Sequence, residues 1–304
     1  MVEKADPALP NHMALPTQLT SLLGREHELA QVCSLLRRSE VRLLTLVGTG
    51  GVGKTRLALA AASAVRDDFA DGLVFVPLAP VSDPEQVLPT ITKTMGLWEA
   101  GDRPLLEQLQ AALQDRHLLL FLDNFEQVIA AALQLADLLA SCPYLTILVT
   151  SRAALRLSGE YGFRVSPLAL PDLAQLPESQ ALAQVASVRL FLERTRAIQT
   201  NFALTSSNER AVAEICVRLE GLPLAIELAA ARIKLLPPHA LLKRLSHRLG
   251  VLTGGAQDMP ARQQTLRATL QWSYGLLSPG ASSGRRSAFA KAGTTIVSFD
   301  QVSL

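Results

Sequence analysis

One octapeptide, Gly48-Thr49-Gly50-Gly51-Val52-Gly53-Lys54-Thr55, constrains this chain more than any other stretch. It satisfies G-x-x-x-x-G-K-[ST] at every fixed position and directly follows the apolar run Leu43, Leu44, Thr45, Leu46, Val47. Glycines let the backbone wrap closely enough for successive N–H groups to point at phosphate oxygens, and a helix opening near Lys54 adds the positive end of its dipole. Gly48, Thr49, Gly50, Gly51, Val52 and Gly53 are thus the expected cradle. Lys54 is expected to reach the β- and γ-phosphates, and Thr55 to ligate magnesium. The alternative is a glycine turn that binds nothing. A buried strand before the loop and a helix after it favour the cradle.

Composition narrows the function classes. With 304 residues, 49% of them hydrophobic, the chain can bury a real core and is long enough for two domains. Its most apolar stretch, residues 128–140, is interrupted by Gln134 and Asp137. It falls short of the roughly 20 apolar residues a membrane span needs. The first 16 residues lack the apolar core of a secretory signal, so a cytoplasmic location and no membrane partner are expected. Cys33, Cys142 and Cys216 are odd in number and lie in apolar contexts, which reads as buried reduced thiols. The five histidines show no metal-ligand spacing. A net charge of +2, with no basic stretch interleaved with aromatics, gives no sign of direct nucleic-acid binding.

Short, continuously apolar strand candidates at residues 42–47, 73–78, 118–122, 145–150 and 162–166 alternate with helical patterns at 24–36, 54–65, 84–95, 104–113 and 127–139. This predicts an α/β fold, a doubly wound parallel sheet covered on both faces, over residues 17–166 after a flexible lead-in at 1–16. Pro167, Pro171 and Pro177 mark a linker at 167–179, and a helical domain follows at 180–250. One of its helices is expected to open on the capping box Ser206-Ser207-Asn208-Glu209 and stop at Gly221. The next is expected to run over 223–236, with Pro223 in its first turn.

Three further positions carry candidate chemistry. The strand ending in Asp123 offers a carboxylate to magnesium beside the phosphate loop, the alternative being an acidic helix cap. Glu126 is either a general base that positions the attacking water or an ordinary first-turn helix glutamate. Arg152, after Thr150-Ser151 at the same sheet edge, is either a sensor of the γ-phosphate or a surface arginine.

Five motifs in order carry a family resemblance: Leu22-Leu23-Gly24-Arg25-Glu26, the phosphate loop with Arg56-Leu57-Ala58, Leu122-Asp123-Asn124-Phe125-Glu126, Thr150-Ser151-Arg152 and Gly221-Leu222-Pro223-Leu224-Ala225. Over about residues 15–279 the chain resembles the signal-transduction (STAND) ATPases, and more narrowly the NB-ARC-type module of bacterial LuxR-class and related regulators. The resemblance implies ATP and ADP as cofactors with Mg2+ and slow ATP hydrolysis. It also implies a closed ADP form that exchanges for ATP on a signal and opens a surface for self-association. It places Gly24 and Arg25 near adenine and ribose, includes Arg56 with the nucleotide-binding loop, and packs Pro223 on the nucleotide. Thr49 stands where relatives commonly have proline. Residues 251–279 resemble the entry to a winged-helix domain. The likeness then stops, and 280–304 read as a non-native or disordered tail of a truncated or frame-shifted product. Competing readings are an AAA+-like ATPase acting on nucleic acid or protein, since a Gly-Arg-Glu box also precedes the loop in that class, and a non-functional relic.

Overall fold

The structure is a computed structural model and describes residues 15–97 and 103–245. Most of the expected lead-in, the last residues of the helical domain, the 251–279 region and the 280–304 tail lie outside the described residues.

Strands and helices alternate as the apolar pattern requires. The order is α1 (Glu26–Leu36), β1 (Leu43–Val47), α2 (Lys54–Ala64), β2 (Leu73–Pro77), α3 (Val87–Thr94), α4 (Leu105–Leu113), β3 (Leu119–Asp123), α5 (Ala132–Ser141), β4 (Thr146–Ser151) and β5 (Glu160–Arg164). All pairings are parallel, in the order β2-β3-β4-β1-β5. This is the expected α/β sheet. Alternate side chains of each strand feed opposite cores, as a period of two demands. Leu120 and Leu122 of β3 join Ile147, Val149 and Leu135 on one face. Leu119 and Phe121 join Leu44, Leu46 and Leu57 on the other. The order puts β4 between β1 and β3, so the phosphate loop after β1 and Asp123 at the tip of β3 share one sheet edge with Thr150 between them.

Several boundaries differ from the sequence pattern. Residues 125–131 form two short 3-10 turns, Phe125–Gln127 and Ile129–Ala131, and α5 begins only at Ala132. Asn124 adopts a left-handed φ of 66°, and Phe125, Val128 and Ala131 are buried, so packing of those side chains overrides a continuous helix. β5 lies two residues earlier than hydropathy suggests because it pairs with β1, Glu160 opposite Leu43 and Arg164 opposite Val47. Arg42 was invisible as a structural element in the sequence. Its guanidinium donates to the carbonyls of Leu139 (2.8 Å), Cys142 and Leu145 (3.3 Å), closing the C-terminal end of α5 where the helix dipole favours a cation.

The helical domain comprises α6 (Ser179–Leu182), α7 (Ala186–Arg196), α8 (Glu209–Arg218), α9 (Pro223–Ala230) and α10 (Pro238–Leu245). Its core gathers Phe191, Val212, Ile215, Cys216, Ile226 and Ala229. The capping box does not form as expected. Asn208 is the N-cap, and its amide oxygen accepts from Thr205 N–H (2.9 Å), while Glu209 is drawn to the Ser179 hydroxyl on the neighbouring short helix. α9 ends at Ala230 rather than 236, because the hydrogen bonds tighten to three-residue turns at Arg232 and Ile233. Pro238 opens α10 instead of merely ending α9. The three cysteines are free and buried, and burial pushes the Cys216 thiol up to about 12. Among the described residues no helix is long and apolar enough to cross a membrane.

Gly221, between α8 and α9, holds φ at +66°. Its carbonyl accepts from Leu168 N–H (2.9 Å), and a Cβ there would lie 2.3 Å from the Leu168 carbonyl oxygen. Gly221→Ala is expected to lower the unfolding free energy by at least about 2 kcal/mol, from left-handed backbone strain plus that clash. Chemical denaturation checks this, and a change within about 0.5 kcal/mol would contradict the tight junction.

Candidate functional site

The loop between β1 and α2 takes the shape its glycines allow. Gly51 and Gly53 hold φ at +78° and +96°, and Gly53 is the N-cap of α2. Five of its carbonyls are engaged. Gly48 O and Thr49 O accept from Lys54 Nζ (2.9 and 3.2 Å), and Thr49 O also accepts from Val52 N–H (3.4 Å). Gly51 O accepts from Leu224 N–H (3.2 Å), Val52 O from Arg25 Nη2 (3.1 Å), and Gly53 O from Leu57 N–H (3.0 Å). The backbone N–H groups of Gly50, Gly51 and Gly53 have no backbone acceptor among the described residues. Amides without a backbone acceptor, next to a lysine ammonium and at a helix N-terminus, make a candidate anion site.

Lys54 is buried, and loss of hydration pushes its ammonium below the usual lysine range, against the attraction of Glu126 and Asp123. Asp123 is buried too. Desolvation raises its carboxyl above the ordinary range, opposed by hydrogen bonds from Thr150 and Thr55. A carboxyl raised this way favours its neutral form in the fold: its stabilising effect is full at low pH and is lost as pH rises through the raised value. Both groups sit where charge is costly, the usual mark of a site shaped for a charged ligand.

Asp123 Oδ1 is the meeting point of the two loops. It accepts from Thr55 Oγ1 at 2.7 Å and from Thr150 Oγ1 at 2.6 Å, and Thr150 Oγ1 in turn accepts from Asn124 N–H at 2.9 Å. A hydroxyl and a carboxylate side by side form a hard oxygen donor set suited to magnesium, which takes one or two protein ligands plus phosphates and waters. In the sequence pattern Thr150 stands out only as a neighbour of Arg152. Its signal was a polar residue at the buried end of an apolar strand flanked by β1 and β3.

Glu126 and Arg152 meet across the edge, Nε to Oε1 at 3.1 Å, and are 7% and 14% exposed. Neither is a plain surface side chain. Glu126 Oε2 is buried without a hydrogen-bond partner among the described residues.

The remaining sequence candidates go to the domain boundary. Gly24 (φ +64°) packs so closely that a Cβ would lie 2.5 Å from Ala186 Cβ at the start of α7. Arg25 is buried and bonds to the main chain. Pro223 Cγ would contact a Cβ on Gly53 at 3.9 Å. Arg56 turns away from the loop to Glu227 of α9 (3.2 Å), which Arg194 of α7 also reaches (3.0 Å), and to the carbonyls of Thr20 and Ser21 (2.8 and 2.9 Å).

Residues 37–164 match the AAA domain family. A protein of Mycobacterium tuberculosis (strain ATCC 25618 / H37Rv), named as a candidate HTH-type transcriptional regulator, is 41% identical over 237 residues, 78% of this chain and 25% of that protein. An uncharacterized protein of the same strain is 40% identical over 261 residues, 86% of this chain and 63% of that protein. The chain thus spans about a quarter of the first relative and less than two thirds of the second. Among solved structures, a Pyrococcus horikoshii STAND protein with a tetratricopeptide repeat sensor aligns with a TM-score of 0.46 at 12% identity, over 88% of this chain and 34% of that one. The first domain is an AAA-type P-loop NTPase domain, a nucleotide-binding fold, of a kind found in proteins named as regulators.

Thr150→Val removes a donor to Asp123 and the acceptor of Asn124 N–H without changing shape. It is expected to destabilise the protein by about 1–3 kcal/mol. A thermal or urea unfolding series checks this, and an unchanged midpoint would show that the Thr150 bridge carries no weight.

Proposed function

We propose that this chain is the nucleotide-controlled switch module of a transcriptional or signalling regulator, binding ADP or ATP with magnesium and hydrolysing ATP slowly. The observation that carries the reading is the 3.2 Å hydrogen bond from Leu224 N–H, in the first turn of α9, to Gly51 O in the phosphate loop. The helical domain thereby rests on the loop itself. Any rearrangement of the loop by phosphates acts directly on the seating of α9, and opening of α9 acts back on the loop.

In this reading the Lys54 ammonium exchanges its loop carbonyls Gly48 O and Thr49 O for β- and γ-phosphate oxygens, which bind it more strongly because they are charged. Thr55 and Asp123 would hold magnesium, which when bound supplies neutralisation of the phosphate charge. Pro223 gives the nucleotide a rigid apolar edge from the helical domain. Glu126 is the base or water positioner, and Arg152 holds one of its oxygens. A γ-phosphate competes for Arg152 and frees Glu126, so the base is available only with triphosphate bound. The AAA domain match supports a second reading, an ATPase that turns over steadily on nucleic acid or protein.

Purified protein is expected to release ADP on denaturation and to show few turnovers with or without DNA. DNA- or protein-stimulated hydrolysis over many cycles would favour the second reading. Glu126→Gln is expected to cut turnover by about 10²–10⁴-fold while nucleotide affinity stays within about threefold. Lys54→Ala is expected to lose affinity. Full binding and turnover in Lys54→Ala would remove the site.

A further inference from the structure

The family resemblance places Arg25 beside adenine and ribose, yet its guanidinium is buried and makes three hydrogen bonds to the protein. At 3% exposed, it donates from Nη2 to both Val52 O (3.1 Å) and Ser166 O (2.5 Å), and from Nη1 to Glu28 Oε1 (2.6 Å). Both Nη2 hydrogens are therefore directed at carbonyls.

The Val52 bond has a geometric consequence. In a trans peptide the C=O and N–H point in opposite directions, and Val52 O shares its peptide with Gly53 N–H. Holding Val52 O from outside the loop aims Gly53 N–H inward. That amide has no backbone acceptor among the described residues, and Gly53 sits at φ +96°, a conformation with little of its own to hold it. Leu224 holds the preceding peptide through Gly51 O, but the amide of that peptide, Val52 N–H, already donates to Thr49 O, and the hold comes from a domain that the proposed switch moves. Arg25 does it from α1's N-cap, inside the same domain. The Ser166 bond anchors the same nitrogen to the chain just beyond β5, where it leaves for the helical domain. The pairing with Glu28 balances the buried charge.

We propose that Arg25 is a positioning residue for the polyphosphate, acting through the Val52–Gly53 peptide rather than by contact with the nucleoside. This rests on the reading of the loop as a phosphate cradle. It gives the arginine a different ligand dependence from one that reads adenine or ribose. A loop-positioning arginine affects every polyphosphate alike, whereas a nucleoside contact affects only ligands that carry a nucleoside.

The test measures magnesium-dependent binding of ATP, ADP and inorganic tripolyphosphate to the full chain, by calorimetry or by displacement of a fluorescent ADP. It compares wild type, Arg25→Gln and Arg25→Lys. Arg25→Gln is expected to weaken ATP and tripolyphosphate by the same factor, about tenfold or more. Arg25→Lys, which keeps the charge but not the fork, is expected to fall between. Melting curves accompany each variant. If Arg25→Gln does not fold, a parallel loss in a natively melting Arg25→Lys protein supports the proposal. Loss of ATP affinity with tripolyphosphate unchanged would overturn it in favour of a nucleoside contact. Unchanged affinity for both, or a wild type that holds ATP but no tripolyphosphate, would overturn it too. A wild type that binds none of the three would instead sink the cradle reading itself.

Discussion

A loop of glycines cannot hold its own shape, and the site depends on what holds it from outside. The carbonyls of Gly48, Thr49, Gly51, Val52 and Gly53 are taken by Lys54, Leu224, Arg25 and the first turn of α2. The bond to Val52 O fixes the direction of Gly53 N–H and the bond to Gly51 O fixes the peptide whose Val52 N–H turns back to Thr49 O, so the loop's shape is set by parts of the chain 27 residues upstream and more than 170 downstream. A phosphate that binds there meets a preorganised surface instead of ordering one, which conserves affinity. In the proposed switch the same wiring makes the loop a point of communication between domains.

The charges follow from the same constraint. Lys54 and Asp123 are both buried, one pushed below its ordinary range and the other above, and neither state is comfortable for the protein alone. Sites keep such groups when a ligand is to meet them. Glu126 and Arg152 neutralise each other across the edge, and a triphosphate is the one partner in the proposed cycle able to compete for the arginine. At the domain boundary Glu227 sits between Arg56 and Arg194, tying the helix that begins at Lys54 to both α9 and α7. The two domains thus share charged as well as main-chain contacts.

Much of this was readable from residues alone because it rests on local pattern. Strands β1 to β4 are largely apolar on both faces, so their positions stood out, whereas β5 is half exposed and its bounds follow from pairing with β1. The loop motif and Asp123 converge wherever β1 and β3 lie near each other in a parallel sheet. What the sequence hid depends on long-range contact. Residues 127–131 look helical in isolation but fall in short turns that bury Phe125 and Val128. Glu209 completes a capping box on paper but is claimed by Ser179. Thr150 gains its role only because β4 falls between the other two strands. Arg25 and Arg56 belong to recognisable motifs, yet motif membership does not say whether an arginine faces the ligand or the backbone.

The central claim is that loop and helical domain respond to nucleotide as one unit through Leu224 and Gly51. Hydrogen exchange on the purified chain, with and without magnesium and ADP, tests it most directly. The account predicts that slowed exchange appears together at residues 48–56 and at 222–226. Protection confined to the loop, or none at either segment, would contradict it.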